Sequence, residues 1–185
     1  MEYVIRRRLP AMALTGLIVL MVAVSCRNRT TTPPVAVTPP DDSLPVPRAV
    51  QILPDSSVAC LLDSSANIRV PANFASHPIV TVSGDVFLRT AEHGLTIQTP
   101  LFIITVQKNS GLHIDAPLHD PWAQVDVVSG QAFIKKSYAP SETDTLGSGQ
   151  MEMINRNIDL MEKEVFDPGK WQAWVSLHLK STRLR

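Results

Sequence analysis

Cysteine is scarce in this 185-residue sequence: there are two, Cys26 and Cys60. Zinc sites built on closely spaced cysteine pairs are thereby excluded. An excess of either charge is also missing, with 17 basic and 17 acidic residues. Removing residues 1–25 takes away Arg6, Arg7, Arg8 and Glu2 and leaves 14 basic and 16 acidic residues, a net charge of −2. A nucleic-acid binder needs basic side chains to neutralise phosphates, and Lys135-Lys136 is the only adjacent pair of cations past residue 30, so nucleic acid is excluded as a partner. Catalytic signatures are lacking as well. No serine sits in a nucleophile elbow, no glycine-rich phosphate loop opens a helix, and the carboxylates are scattered singly. The expectation is a protein that is not an enzyme and carries no cofactor.

What is present is sorted along the chain. Arg6, Arg7 and Arg8 precede an uncharged apolar run from Leu9 to Val24, the shape of a secretory signal. That run falls short of the roughly 20 residues a helix needs to cross the hydrocarbon core. It ends in Val22-Ala23-Val24-Ser25-Cys26, which resembles a bacterial lipobox, so residues 1–25 are read as a lipoprotein signal peptide and Cys26 as the site of lipid attachment, an uncleaved signal anchor being the weaker reading. Two or more acyl chains anchor a protein stably where one does not. With Cys26 lipidated, Cys60 has no disulfide partner within the chain and, in its apolar run, is read as a buried, inert thiol. Everything after residue 26 is placed outside the cytoplasm, on the periplasmic face of the cell envelope.

Residues 26–48 form the lipidated cysteine and a tether. Pro33, Pro34, Pro39, Pro40, Pro45 and Pro47 remove backbone donors and leave an extended spacer that reaches at most about 65 Å at roughly 3.1 Å per residue. A ligand for SH3-type readers is the weaker reading, since those readers are mainly cytoplasmic. Residues 49–180 remain for a domain that can bury on the order of two-thirds of its unfolded surface. Their apolar period is two: Leu95 and Ile97; Phe102, Ile104 and Val106; Leu112, Ile114 and Ala116; Val125 and Val127. Turns are read at Asp55-Ser56-Ser57, Ser83-Gly84-Asp85, His93-Gly94, Asn109-Ser110-Gly111, Ser129-Gly130 and Gly147–Gly149. The fold class is therefore all-β, a single β-solenoid or sandwich-like domain of short strands. Met151, Ile154, Ile158, Met161 and Val165 also satisfy a helical period. Asp167-Pro168 predicts the start of a short C-terminal helix that carries Trp171 and Trp174 on one face.

Residues 50–155 resemble the FecR domain, the extracytoplasmic module of regulators that relay signals from outer-membrane TonB-dependent transporters to alternative sigma factors. Leu53-Pro54-Asp55-Ser56-Ser57-Val58, with Leu61, Ser64, Ser65 and Ala66 after it and then Pro71-Ala72-Asn73-Phe74, resembles its opening. Val80–Leu88 is similar to its glycine-acid turn between strands, with Asp85 where Glu is usual. Leu95–Pro100 is similar to the strand closing in Thr-Pro, Val125–Ala132 to the following glycine hairpin, and Leu146–Gln150 to the last glycine turn. Gln107-Lys108-Asn109 departs by lacking a glycine turn. The resemblance tips residues 150–165 towards two strands joined at Asn155-Arg156-Asn157. It implies binding to an envelope protein such as a TonB-dependent transporter or its regulator, in signal transduction. With only about eight residues before the apolar run, direct control of a sigma factor is not expected of this chain, and neither is the second extracytoplasmic subdomain that many relatives carry.

His113 and Asp115 alternate on the polar face of one strand, and His119 and Asp120 follow in the next loop. Without a third convergent ligand they are read as a solvated strand and turn, not as a metal site. Lys135-Lys136 is read as a solvated strand end. Trp171 and Trp174 are the candidates for partner binding. The competing reading is a lipoprotein that binds a glycan or small ligand, which requires Trp122, Trp171 and Trp174 exposed in a groove.

Overall fold

Two-residue periodicity becomes strand after strand in the computed structural model, which describes residues 44–179. The segment read as a signal peptide, Cys26 and the segment read as a tether as far as residue 43 lie outside the described residues. The chain divides between Pro40 and Asp41, and all the described residues fall in the second part. In order they form β1 (Ala49–Ile52), β2 (Val58–Leu61), β3 (Asn67–Arg69), β4 (Ile79–Arg89), β5 (Leu95–Gln98), β6 (Phe102–Val106) and β7 (Gly111–Ala116). They continue with β8 (Trp122–Ser129), β9 (Gln131–Lys136), β10 (Thr143–Gly147), β11 (Gln150–Asn155), β12 (Leu160–Val165) and helix α1 (Gly169–His178). The fold is all-β with one short C-terminal helix, its short strands joined in a curled half-barrel sheet. Among the described residues no helix is long and apolar enough to cross a membrane.

The strands run in the order β10-β9-β6-β5-β4-β7-β8-β11-β12, with β2 and β3 also pairing β4, and β1 pairing β2. The hinge of this arrangement is β4. Its first residues pair β3 and, in parallel, β5; its last six, Gly84–Arg89, pair β7 and, from Val86 on, β2 as well. Side chains alternate across the pleat, so Val80, Val82, Val86 and Leu88 of β4 point inward with Ile97, Ile104, Leu112, Ile114, Val125, Val127, Ile134 and Ile154. All are buried.

Three sequence expectations are corrected by this topology. Ser83-Gly84-Asp85 is not a turn but the middle of β4. Gly84 has φ +75°, and a Cβ there would stand 2.7 Å from the backbone of Ala66, so glycine serves close approach of the 62–66 loop and not chain reversal. Ser129-Gly130 is not a hairpin either: β8 pairs β7 and β11, whereas β9 pairs β6 and β10. This glycine corner carries the chain from one half of the curl to the other, and Gly147–Gly149 carries it back. The third is Lys136, expected in solvent and found 1% exposed; its Nζ bonds Glu142 at 2.5 Å and Asp159 at 2.7 Å. The remaining turns fall as expected, and Asn109, with φ 56°, takes the left-handed conformation where no glycine is available. Residues 150–165 are two strands, as the resemblance favoured, and of the five residues of the helical pattern only Ile154 is buried.

Candidate functional site

One face of the sheet is outward yet covered. Strand register sets Cys60, Phe87, His113, Asp126 and Met151 side by side across β2, β4, β7, β8 and β11. The middle of this row lies under α1. Asp167 starts the helix by accepting the Gly169 N–H at 2.9 Å, and α1 itself begins with no side-chain cap and no acidic residue in its first turn. Packing on the sheet therefore holds it more than helix propensity does. Trp171 stacks on Phe87 at 5.4 Å and on His113 at 4.4 Å, and Trp174 meets Phe87 at 5.1 Å. Val58, Cys60, Leu62, Val128 and Leu179 complete this second apolar cluster, with Leu44, Phe166 and Val175 at its margin.

The polar heart of the site is His113, with 14% of its side chain exposed. Its Nε2 meets Asp85 Oδ1 at 2.8 Å and its Nδ1 meets Asp126 Oδ2 at 2.8 Å. Gln124 Nε2 donates to the other oxygen of Asp126 at 2.7 Å. Burial alone lowers the pKa of His113, but the hydrogen bonds and charges of Asp126 and Asp85 outweigh it and push the group up to about 9. An imidazolium results, both N–H groups donated and one ring face under an indole. It has no lone pair for a metal or for a substrate proton. The three residues act as a charge clamp whose cation also stacks on Trp171. Asp115 lies in the next rung and is raised by burial and then by the charge of Asp85.

The sequence candidates separate here. His113 is not the solvated strand residue that was expected. Its position is central because β7 has strands on both sides, and it is roofed by α1. His119 and Asp120 are exposed in the loop after β7 and do not join it. Among the described residues no group of three His, Cys, Asp or Glu is placed to hold a metal. Cys60 is buried, and burial pushes its thiol up to about 11, as an inert thiol requires. Trp171 and Trp174, the candidates for partner binding, are 6% and 5% exposed and spend their surface on the domain itself. Trp122 is 39% exposed.

The tether meets the domain at the same place. Trp174 Nε1 donates to Pro45 O at 2.6 Å, Leu44 packs at the margin of the second apolar cluster and the Arg48 N–H donates to Leu61 O, so the proline-rich stretch is fastened to the body at three points, with Val46 left exposed. The sequence marked Asp85 as the acid of the glycine-acid motif but not as a partner of His113, and offered no signal for Asp126 or the Pro45 contact, because these pairings depend on strand register or on residues 129 apart.

Compared with solved structures, the fold is similar to two crystal structures of a protein proposed to be an anti-sigma factor from Parabacteroides distasonis. Their TM-scores are 0.59 and 0.58, each at 20% identity and covering 72% of this chain. The chain spans 63% and 62% of the length of those two chains, and the likeness is one of fold. No family model matches the sequence, and no curated protein is found similar to it.

Proposed function

We propose that this chain is a membrane-anchored, extracytoplasmic protein-binding module of an anti-sigma-type signalling system, with no catalysis of its own. The observation that carries the reading is the fold shared with the Parabacteroides distasonis protein over 72% of the chain. The order of the FecR-like motifs and the lipobox-like leader agree with it. So does the site: its converging titratable groups hold one another and leave none directed at a substrate. For a partner, the surface best suited is the outer edge of β12, which pairs only with β11 among the described residues and carries Val165 at 79% exposure. A free strand edge accepts an added strand through main-chain bonds. The glycan-binding alternative is weakened by the burial of Trp171 and Trp174.

Photo-crosslinkers placed at Val165 and Ile158 in the full chain, in its native cells, test this reading. They are expected to capture one envelope protein, a TonB-dependent transporter or its regulator. Anchored protein that crosslinks to nothing at these positions overturns it. Cys26→Ala is expected to move the chain from the membrane pellet to the soluble envelope fraction, and retention in the pellet refutes lipid anchoring through that thiol.

A further inference from the structure

The two ends of the strand path, β10 and β12, are not paired strand to strand; side chains bridge them. Lys163 of β12 bonds Asp144 Oδ1 at 2.8 Å and Thr145 O at 2.9 Å on β10. Nearby, Lys136 is held by Glu142 and Asp159. Beneath these bridges lies Glu152. It sits on the inner face of β11 beside Ile154, is 1% exposed, and its Oε2 accepts no hydrogen bond. A buried carboxylate oxygen without a donor is costly, and native structures rarely keep one without a use.

Glu152 forms part of the wall of a cavity of about 470 Å³ that opens at this seam. Glu142 and Asp144 add two further carboxylates, Lys163 a cation bonded to Asp144, Ser141 and Thr143 two hydroxyls, and Met161 an apolar surface. We propose that this cavity binds an organic cation, the guanidinium or ammonium head of an alkyl-stemmed ligand, with Glu152 as its counter-ion. The seam's own cations are already committed: Lys136 to Glu142 and Asp159, Lys163 to Asp144 and Thr145 O. Glu152 lines the cavity wall, so an incoming N–H group bonds its carboxylate from that side, and Met161 covers the methylene stem. A metal ion is the poorer occupant, since no three ligating groups among the described residues are placed around one point. An anion meets three carboxylates against one lysine that Asp144 already holds.

Binding is coupled to pH. Burial, and then the charge of Asp144, push Glu152 up to about 7, with Lys163 drawing it partly back. A cation must displace the proton, so affinity rises about tenfold from roughly pH 6 to pH 8.

The test uses the full chain in detergent, with carbon-labelled glutamate, titrated separately with N-acetyl-arginine amide, butylamine and calcium. Either organic cation is expected to shift the Glu152 carboxyl resonance and lower its titration midpoint, and Glu152→Gln to abolish that probe's heat of binding. Response to the arginine probe alone assigns a polypeptide side chain as the ligand, and response to butylamine alone assigns a free amine. An unshifted Glu152 resonance at millimolar probe overturns the proposal. So does binding undiminished in Glu152→Gln, or a stronger response to calcium. The resonance of the unaltered protein decides even if the variant fails to fold. The outcome is independent of whether the domain binds an envelope protein.

Discussion

A histidine with both nitrogens on carboxylates is a pH-dependent fastener. Because the folded pKa of His113 lies near 9 and the unfolded value near 6.5, its stabilising contribution is complete below about 6.5 and is lost as pH rises through about 9. Urea midpoints measured across that window are expected to fall. His113→Gln flattens the dependence and costs about 3–5 kcal/mol at neutral pH, because Asp85 and Asp126 are left facing an uncharged group. Glu152 acts in a separate window. Its pKa is raised from 4.5 to about 7, so its contribution is complete below about 4.5 and lost as pH rises through about 7. Glu152→Gln is expected to leave stability at pH 4 unchanged and to raise it at pH 8 by about 1–3 kcal/mol. Equal midpoints of the two proteins at pH 8 refute the unpaired state of that carboxylate. His113 stood out in the sequence, but neither Asp126 nor Glu152 does. Asp126 stands between Val125 and Val127 and Glu152 between two methionines, so an alternating pattern assigns both to the wet side. Only strand order and the helix above reveal that one lies under a roof and the other faces inward.

The elements themselves were more legible, since alternation in Leu95–Ile97, Phe102–Val106 and Leu112–Ala116 marks both strand and buried face. What alternation does not encode is connection. Ser129-Gly130 has the composition of a hairpin and acts as a corner, because a glycine with φ +81° serves a change of layer as well as a reversal. Gly84 shows the same ambiguity inside β4. Gly84→Ala is expected to cost at least about 1–3 kcal/mol, read as a lowered thermal midpoint, since it combines a left-handed φ with a backbone clash at Ala66. A variant as stable as the parent contradicts the close approach of the 62–66 loop. At the helix, Trp174→Phe keeps the aromatic contact with Phe87 and removes the donor to Pro45 O. It is expected to cost about 1 kcal/mol and to speed amide exchange at Arg48 and in α1, while exchange in β7 stays unchanged.

For the molecule as a whole, the sequence marks where the β-body begins without marking how residues 44–48 meet it. Pro45 is the carbonyl that Trp174 holds, and it precedes the first rung of the β1–β2 ladder, Ala49 opposite Leu61. Force applied at Leu44 therefore reaches an indole hydrogen bond and the seat of α1 before it strains any sheet pairing. Such a load is felt first by the C-terminal helix, so the domain's mechanical weak point is where its beginning is tied to its end.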